Sequence, residues 1–185
     1  MTDVRRTVTG MRRGLFAVPV VACVTLVAAG CGGPVAPRTW VTTVCQSLAP
    51  WRSTITQLNG TAQVEMTTAT TPRDTQAHML TLLGGAQRAS ERARAAVDAA
   101  GVPDVEGGAE IERRFVASLA AVRDAYGKAA TAVGALPTDD PQSFYKGVAS
   151  AMNQLATDYQ RAGVDTDQLA STELQDDFAQ VAACR

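Results

Sequence analysis

Ile111-Glu-Arg-Arg-Phe115-Val-Ala-Ser-Leu119-Ala-Ala-Val122-Arg-Asp-Ala-Tyr126-Gly-Lys-Ala129-Ala-Thr-Ala-Val133 is the stretch that decides the fold class. Its apolar residues recur at intervals of three and four, which places them on one face of an α-helix. Leu136 continues the stripe, and Pro137 ends it because proline has no N–H and clashes with the preceding turn. The spacing predicts a helix from about Gly108 to Leu136. Glu106, Glu110, Glu112, Arg113 and Arg114 form a charged run at helical spacing and read as its wet face.

The same period continues downstream. Asp139-Asp140-Pro141 starts a helix, with an acidic cap and a proline in the first turn, and Gly163 stops it. Phe144, Val148, Met152, Leu155 and Tyr159 are its inward positions. A last segment from about Thr172 to Ala183 carries Leu174, Phe178 and Val181, with Cys184 in phase. Asp176-Asp177 reads as its solvated side.

Upstream, Thr71-Pro72-Arg73-Asp74 combines a capping threonine, a first-turn proline and an aspartate three residues on. The helix it opens carries Met79, Leu83, Ala86, Ala93 and Val97 and stops at Gly101, before Val102-Pro103. Gly84-Gly85 inside it costs about 1 kcal/mol per glycine relative to alanine. Close packing of a neighbouring helix explains the pair; a bend beside a cleft is the alternative. Val41, Val44, Leu48, Trp51, Ile55 and Leu58 mark the first helix. Pro50 is expected to kink or divide it, Asn59-Gly60 to end it, and Thr61 to Thr71 to form a loop or a frayed continuation. No useful length alternates with a strand period. The chain therefore reads as all-α, an up-and-down bundle of four helices plus a short C-terminal helix.

The N-terminus carries a different message. Arg12-Arg13 leads into an apolar core, Leu15 to Ala29, and then Gly30-Cys31. A basic segment, an apolar core and small residues make an export signal. The core is shorter than the roughly 20 residues that span a bilayer. With Ala28, Ala29 and Gly30 before Cys31, it resembles the signal peptide of bacterial lipoproteins, although Ala28 stands where leucine is usual. The resemblance implies cleavage after Gly30, a diacylglyceryl group on Cys31, and a place on the outer face of the cell membrane. A diacylglyceryl group supplies the two chains that stable anchoring requires. An ordinary secretory signal cut near Ala-x-Ala is the competing reading. Arg12-Arg13-Gly14-Leu15-Phe16 also loosely resembles a twin-arginine signal, with Met11 in place of the usual Ser or Thr, so either that route or general secretion fits. Met1 and Met11 both suit as the start. Residues 31–38 follow as a flexible Gly/Pro tether, and 39–185 as one domain.

Removing Arg5, Arg6, Arg12, Arg13 and Asp3 from 17 basic and 18 acidic residues leaves 13 and 17, a net charge of −4. That offers no electrostatic case for nucleic acid. Of the four cysteines, Cys23 lies in the signal core and Cys31 is the lipid site. Cys45 and Cys184 remain near the two ends of the domain, and in an exported chain they are expected to pair. Two buried free thiols are the alternative.

Trp40-Val41, Cys45, Leu48-Ala49-Pro50-Trp51, Ile55, Leu58, Phe178 and Ala183-Cys184 resemble a pattern in small secreted proteins and lipoproteins of actinobacteria. That resemblance implies a helical extracytoplasmic domain and carries over no active site.

Residues able to do chemistry are few. His78 is the sole histidine and has no metal-binding or nucleophilic partner at helical spacing, so it is expected at the surface or a boundary. Asp165-Thr166-Asp167 begins like a calcium loop, but Leu169 stands at the next ligand position and the central glycine is missing. No metal and no cofactor is expected. Trp40 and Trp51, eleven residues apart on nearly one helical face, are either core anchors or the wall of a pocket or interface. The expected function is a lipid-anchored extracytoplasmic helical module that binds a protein or another envelope component, without catalysis. The alternative is a carrier holding a small apolar ligand near Trp51, Phe115, Tyr126, Phe144 and Tyr159.

Overall fold

Helical periodicity becomes five α-helices in the computed structural model, which describes residues 33–69, 71–163 and 171–185. These are α1 (Pro37–Thr68), α2 (Pro72–Asp98), α3 (Gly108–Gly134), α4 (Pro141–Ala162) and α5 (Thr172–Gln180), followed by a 3-10 turn over Ala182–Cys184. The expected signal segment with Gly30, the expected lipid site Cys31, and the Asp165-Thr166-Asp167 stretch with Leu169 lie outside the described residues.

Local chemistry sets most of the helix ends. Thr71 accepts a hydrogen bond from the Asp74 N–H at 3.2 Å, as the capping pattern requires. Asp140 accepts one from the Gln142 N–H at 3.1 Å, and Gly163 ends α4 with a left-handed φ of 60°. Gln76 closes α3 from a neighbouring helix by donating to the carbonyls of Val133, at 2.9 Å, and Leu136, at 3.0 Å. The Val133 carbonyl also accepts from the Leu136 N–H at 3.2 Å, in the tightened last turn of the helix.

The α4 cap carries a pH dependence. The Ser143 hydroxyl first, and the Gln142 N–H next, hold the Asp140 carboxyl below its ordinary range. A depressed folded-state pKa stabilises the fold above the unfolded value of about 3.9 and loses that contribution as pH falls through the folded value. Asp140→Asn keeps a capping oxygen but does not titrate. Wild type is therefore expected to lose stability relative to Asp140→Asn on acidification below about pH 4. Urea midpoints at pH 3 and pH 6 check this, and a constant gap between the two proteins would contradict it.

Four expectations change. First, α1 does not stop at Asn59-Gly60 but runs to Thr68. Ala62 is buried, Glu65 Oε2 lies 3.0 Å from His78 Nδ1 of α2, and the Thr67 and Thr68 hydroxyls bond back to helix carbonyls. Contacts with α2 thus override the local Asn-Gly signal. Second, Pro50 does not divide α1. Pro50 and Gln46 both lie on the exposed side, so the carbonyl deprived of its donor is open to water. Third, residues 35–38 are not free tether. Val35 exchanges backbone hydrogen bonds with the α2–α3 loop, its N–H to the Val102 carbonyl and its carbonyl to the Asp104 N–H, both at 2.8 Å. Fourth, the last segment breaks at Val181, whose extended backbone separates α5 from the 3-10 turn. Asp177 is mostly buried rather than solvated and pairs with Arg38 at 3.7 Å.

The core has two parts. One gathers Trp40, Val44, Leu48, Val97, Phe115 and Leu174, joining α1, α2, α3 and α5. The other gathers Met79, Leu83, Ala129, Val133, Ala151 and Leu155 of α2, α3 and α4. Cys45 and Cys184 are bonded, with their Cα atoms 4.9 Å apart, so the last turn is pinned to the first helix. Gly85 settles its own reading: a side chain there would sit 2.9 Å from the Leu58 methyls of α1, so the glycine serves close helix packing. Gly108 is tighter still, since a Cβ would overlap the Pro103 carbonyl oxygen.

Candidate functional site

The first four helices pack each on the next, but α1 and α4 do not meet among the described residues. Their inward stripes face each other across a gap. Ile55, Leu58 and Asn59 of α1 form one wall, and Met152, Leu155, Ala156, Tyr159 and Gln160 of α4 form the other. Tyr126 of α3 and Leu82, Leu83 and Ala86 of α2 form the floor.

The gap has two connected parts. A more enclosed slot of about 190 Å³ reaches down to Leu83 and Ala86. An open trough of about 420 Å³ runs over it between Asn59 and Gln160. Ile55, Asn59, Tyr126, Met152 and Leu155 line both. The trough lies in the size range of small-molecule sites, about 300–1,000 Å³, and the slot alone falls below it.

Tyr126 and Tyr159 meet edge to face at the mouth, with ring centroids 6.3 Å apart. Burial raises the pKa of both phenols, and their mutual repulsion adds to the rise at Tyr126. Both are therefore neutral across the physiological range. Tyr159, expected inward, is 39% exposed, on the side of α4 that faces the gap toward α1.

The six aromatic residues proposed from sequence do not converge. Trp40 is fully buried, edge to face with Phe115 at 5.6 Å, and its indole N–H donates to the Gly101 carbonyl at 2.7 Å. Both rings are core anchors rather than pocket walls. Trp51 is half-buried against α2 and donates to Ser90 Oγ at 3.1 Å, beside a separate shallow cleft with Pro50 and Arg92. Phe144 is fully buried against Tyr145 near the start of α4. Only Tyr126 and Tyr159 share a cavity.

The charged residues are committed elsewhere. Arg94, and next Arg123 from α3, hydrogen-bond Glu91 and lower its carboxyl to about 2. That group ties α2 to α3. Glu110 is paired with Arg113 and Arg114 on the wet face of α3. Burial raises the Glu112 carboxyl, with Asp98 adding to it. Among the described residues no three His, Cys, Asp or Glu side chains cluster to hold a metal ion. No protein-family model, curated protein or solved structure matches the chain.

Proposed function

We propose that this chain is a lipid-anchored extracytoplasmic helical module, without catalytic activity, that binds an apolar part of an envelope component in the trough between α1 and α4. The trough is the observation that carries this reading. It is an apolar concavity between two helices that do not pack on one another, and a stable bundle ordinarily buries such stripes. The export signal ending at Cys31 supports the anchoring. The reading without catalysis rests on His78 being the sole histidine, with no nucleophile at helical spacing. The enclosed slot favours a second reading, a carrier for a small apolar ligand.

Photocrosslinking in cells tests the binding element. A photoreactive residue replacing Ala156, in the trough, is expected to give a defined adduct. The same residue replacing Ala132, on the outer face between α2 and α3, is expected to give none. Identical adducts from both positions, or none from Ala156, would reject the trough as the site.

A further inference from the structure

We propose that the trough and slot take a neutral amphiphile, a single apolar chain with an uncharged hydroxyl- or amide-bearing head, rather than a charged lipid or a protein helix. This rests on the trough being the binding element and goes further by naming the ligand class.

The first argument is the chemistry of the lining. Apart from two phenols, nothing ionisable lines either part of the cavity. The polar groups at the mouth are Asn59, Gln160, Tyr126 and Tyr159. A carboxylate or phosphate held there would lose water without gaining a counter-ion, which is strongly unfavourable. The nearby cations do not serve: Lys128 and Arg161 both engage Asp158, at 3.9 and 3.6 Å, and none of the three lines the cavity. A neutral head meets no such cost. Asn59, Gln160 and both phenols offer donors and acceptors.

The second argument is shape. The slot, smaller and more enclosed than the trough, adds Leu58, Leu82, Leu83 and Ala86 to the lining the two share. A helix with its side chains is about 10 Å across and would ride over the trough without filling the slot. A flexible alkyl chain can follow the trough into the slot, where its burial removes apolar surface from water.

The test uses the full chain carrying Cys31→Ser, so that no attached lipid competes, purified without detergent. Glycerol monolaurate and laurate share a chain and differ in the charge of the head. Each is titrated calorimetrically at pH 8, below its aggregation concentration. One-to-one binding of glycerol monolaurate is expected, at least about tenfold tighter than laurate. Ala156→Trp, a substitution at an exposed position, is expected to abolish that binding with the melting temperature unchanged. Equal binding of both probes, lost together in Ala156→Trp, would overturn the neutral-head assignment and leave the trough as a binding site. Failure of glycerol monolaurate to bind, or binding that Ala156→Trp leaves intact, would overturn the ligand assignment. The crosslinking result then decides separately whether the trough binds anything else.

Discussion

Trp40→Ala is expected to lower the unfolding free energy by about 4 kcal/mol, the range found for a fully buried large aromatic truncated to alanine. Trp40 has no exposed surface and packs edge to face with both Phe115, at 5.6 Å, and Phe178, at 6.3 Å. It thus joins α1, α3 and α5 through one ring system. Its indole N–H also satisfies the Gly101 carbonyl beyond the end of α2. Trp40→Phe separates these contributions. It keeps most of the apolar contact but leaves that carbonyl without its donor, so a loss of about 1–3 kcal/mol is expected. Urea unfolding with an unchanged m-value is the measurement. A loss below about 1 kcal/mol for Trp40→Ala would mean that this end of the core is not close-packed.

The architecture was readable because its determinants are local. The stripe Ile111, Phe115, Leu119, Val122 becomes the buried face of α3, and Thr71, Asp140 and Gly163 act where their chemistry places them. The errors came where distant contacts override local preference. Asn59-Gly60 reads as a stop, yet α1 continues because Ala62 and Glu65 find α2 beside them. Val35 reads as tether because its partners, Val102 and Asp104, lie far along the chain.

The candidate site was legible only in halves. Ile55 and Leu58 read as core positions on one stripe, and Met152 and Leu155 on another, while Tyr126 and Tyr159 read as candidate walls of a ligand site. Periodicity tells which face of a helix is apolar but not whether two apolar faces touch. The gap between α1 and α4 is a tertiary fact, and so are the roles of Asn59 and Gln160 at its rim. Aromatic residues drew attention for their size, yet size suits Trp40, Phe115 and Phe144 to the core, and only the phenols with a polar tip reached the mouth.

Breaking Cys45–Cys184, by Cys45→Ser with Cys184→Ser, is expected to cost about 3–5 kcal/mol. The bond spans 139 residues, and closing so long a loop removes about 5 kcal/mol of unfolded-state entropy in the chain-entropy model. The loss should also be uneven. Among the described elements α5 packs on α1 and on the 3-10 turn, and reaches α3 through the stacked rings of Phe178 and Phe115, 5.9 Å apart. Without the bond it is held by Leu174, Phe178 and the Arg38–Asp177 pair, and a pair with so exposed an arginine contributes little. Amide exchange over 172–184 is therefore expected to accelerate far more than at Leu83, Ala129 or Val133, which lie in the core shared by α2, α3 and α4. Uniform acceleration across all helices would show that α5 unfolds only with the whole bundle. The consequence reaches the binding site, because α1 is one wall of the trough. Its first half is clamped by the disulfide and its second half leans on α2 at Leu58 and Glu65. Loosening the clamp leaves Ile55 and Leu58 attached from one side only, so the double serine variant should bind glycerol monolaurate more weakly than the parent chain even at temperatures where both remain folded.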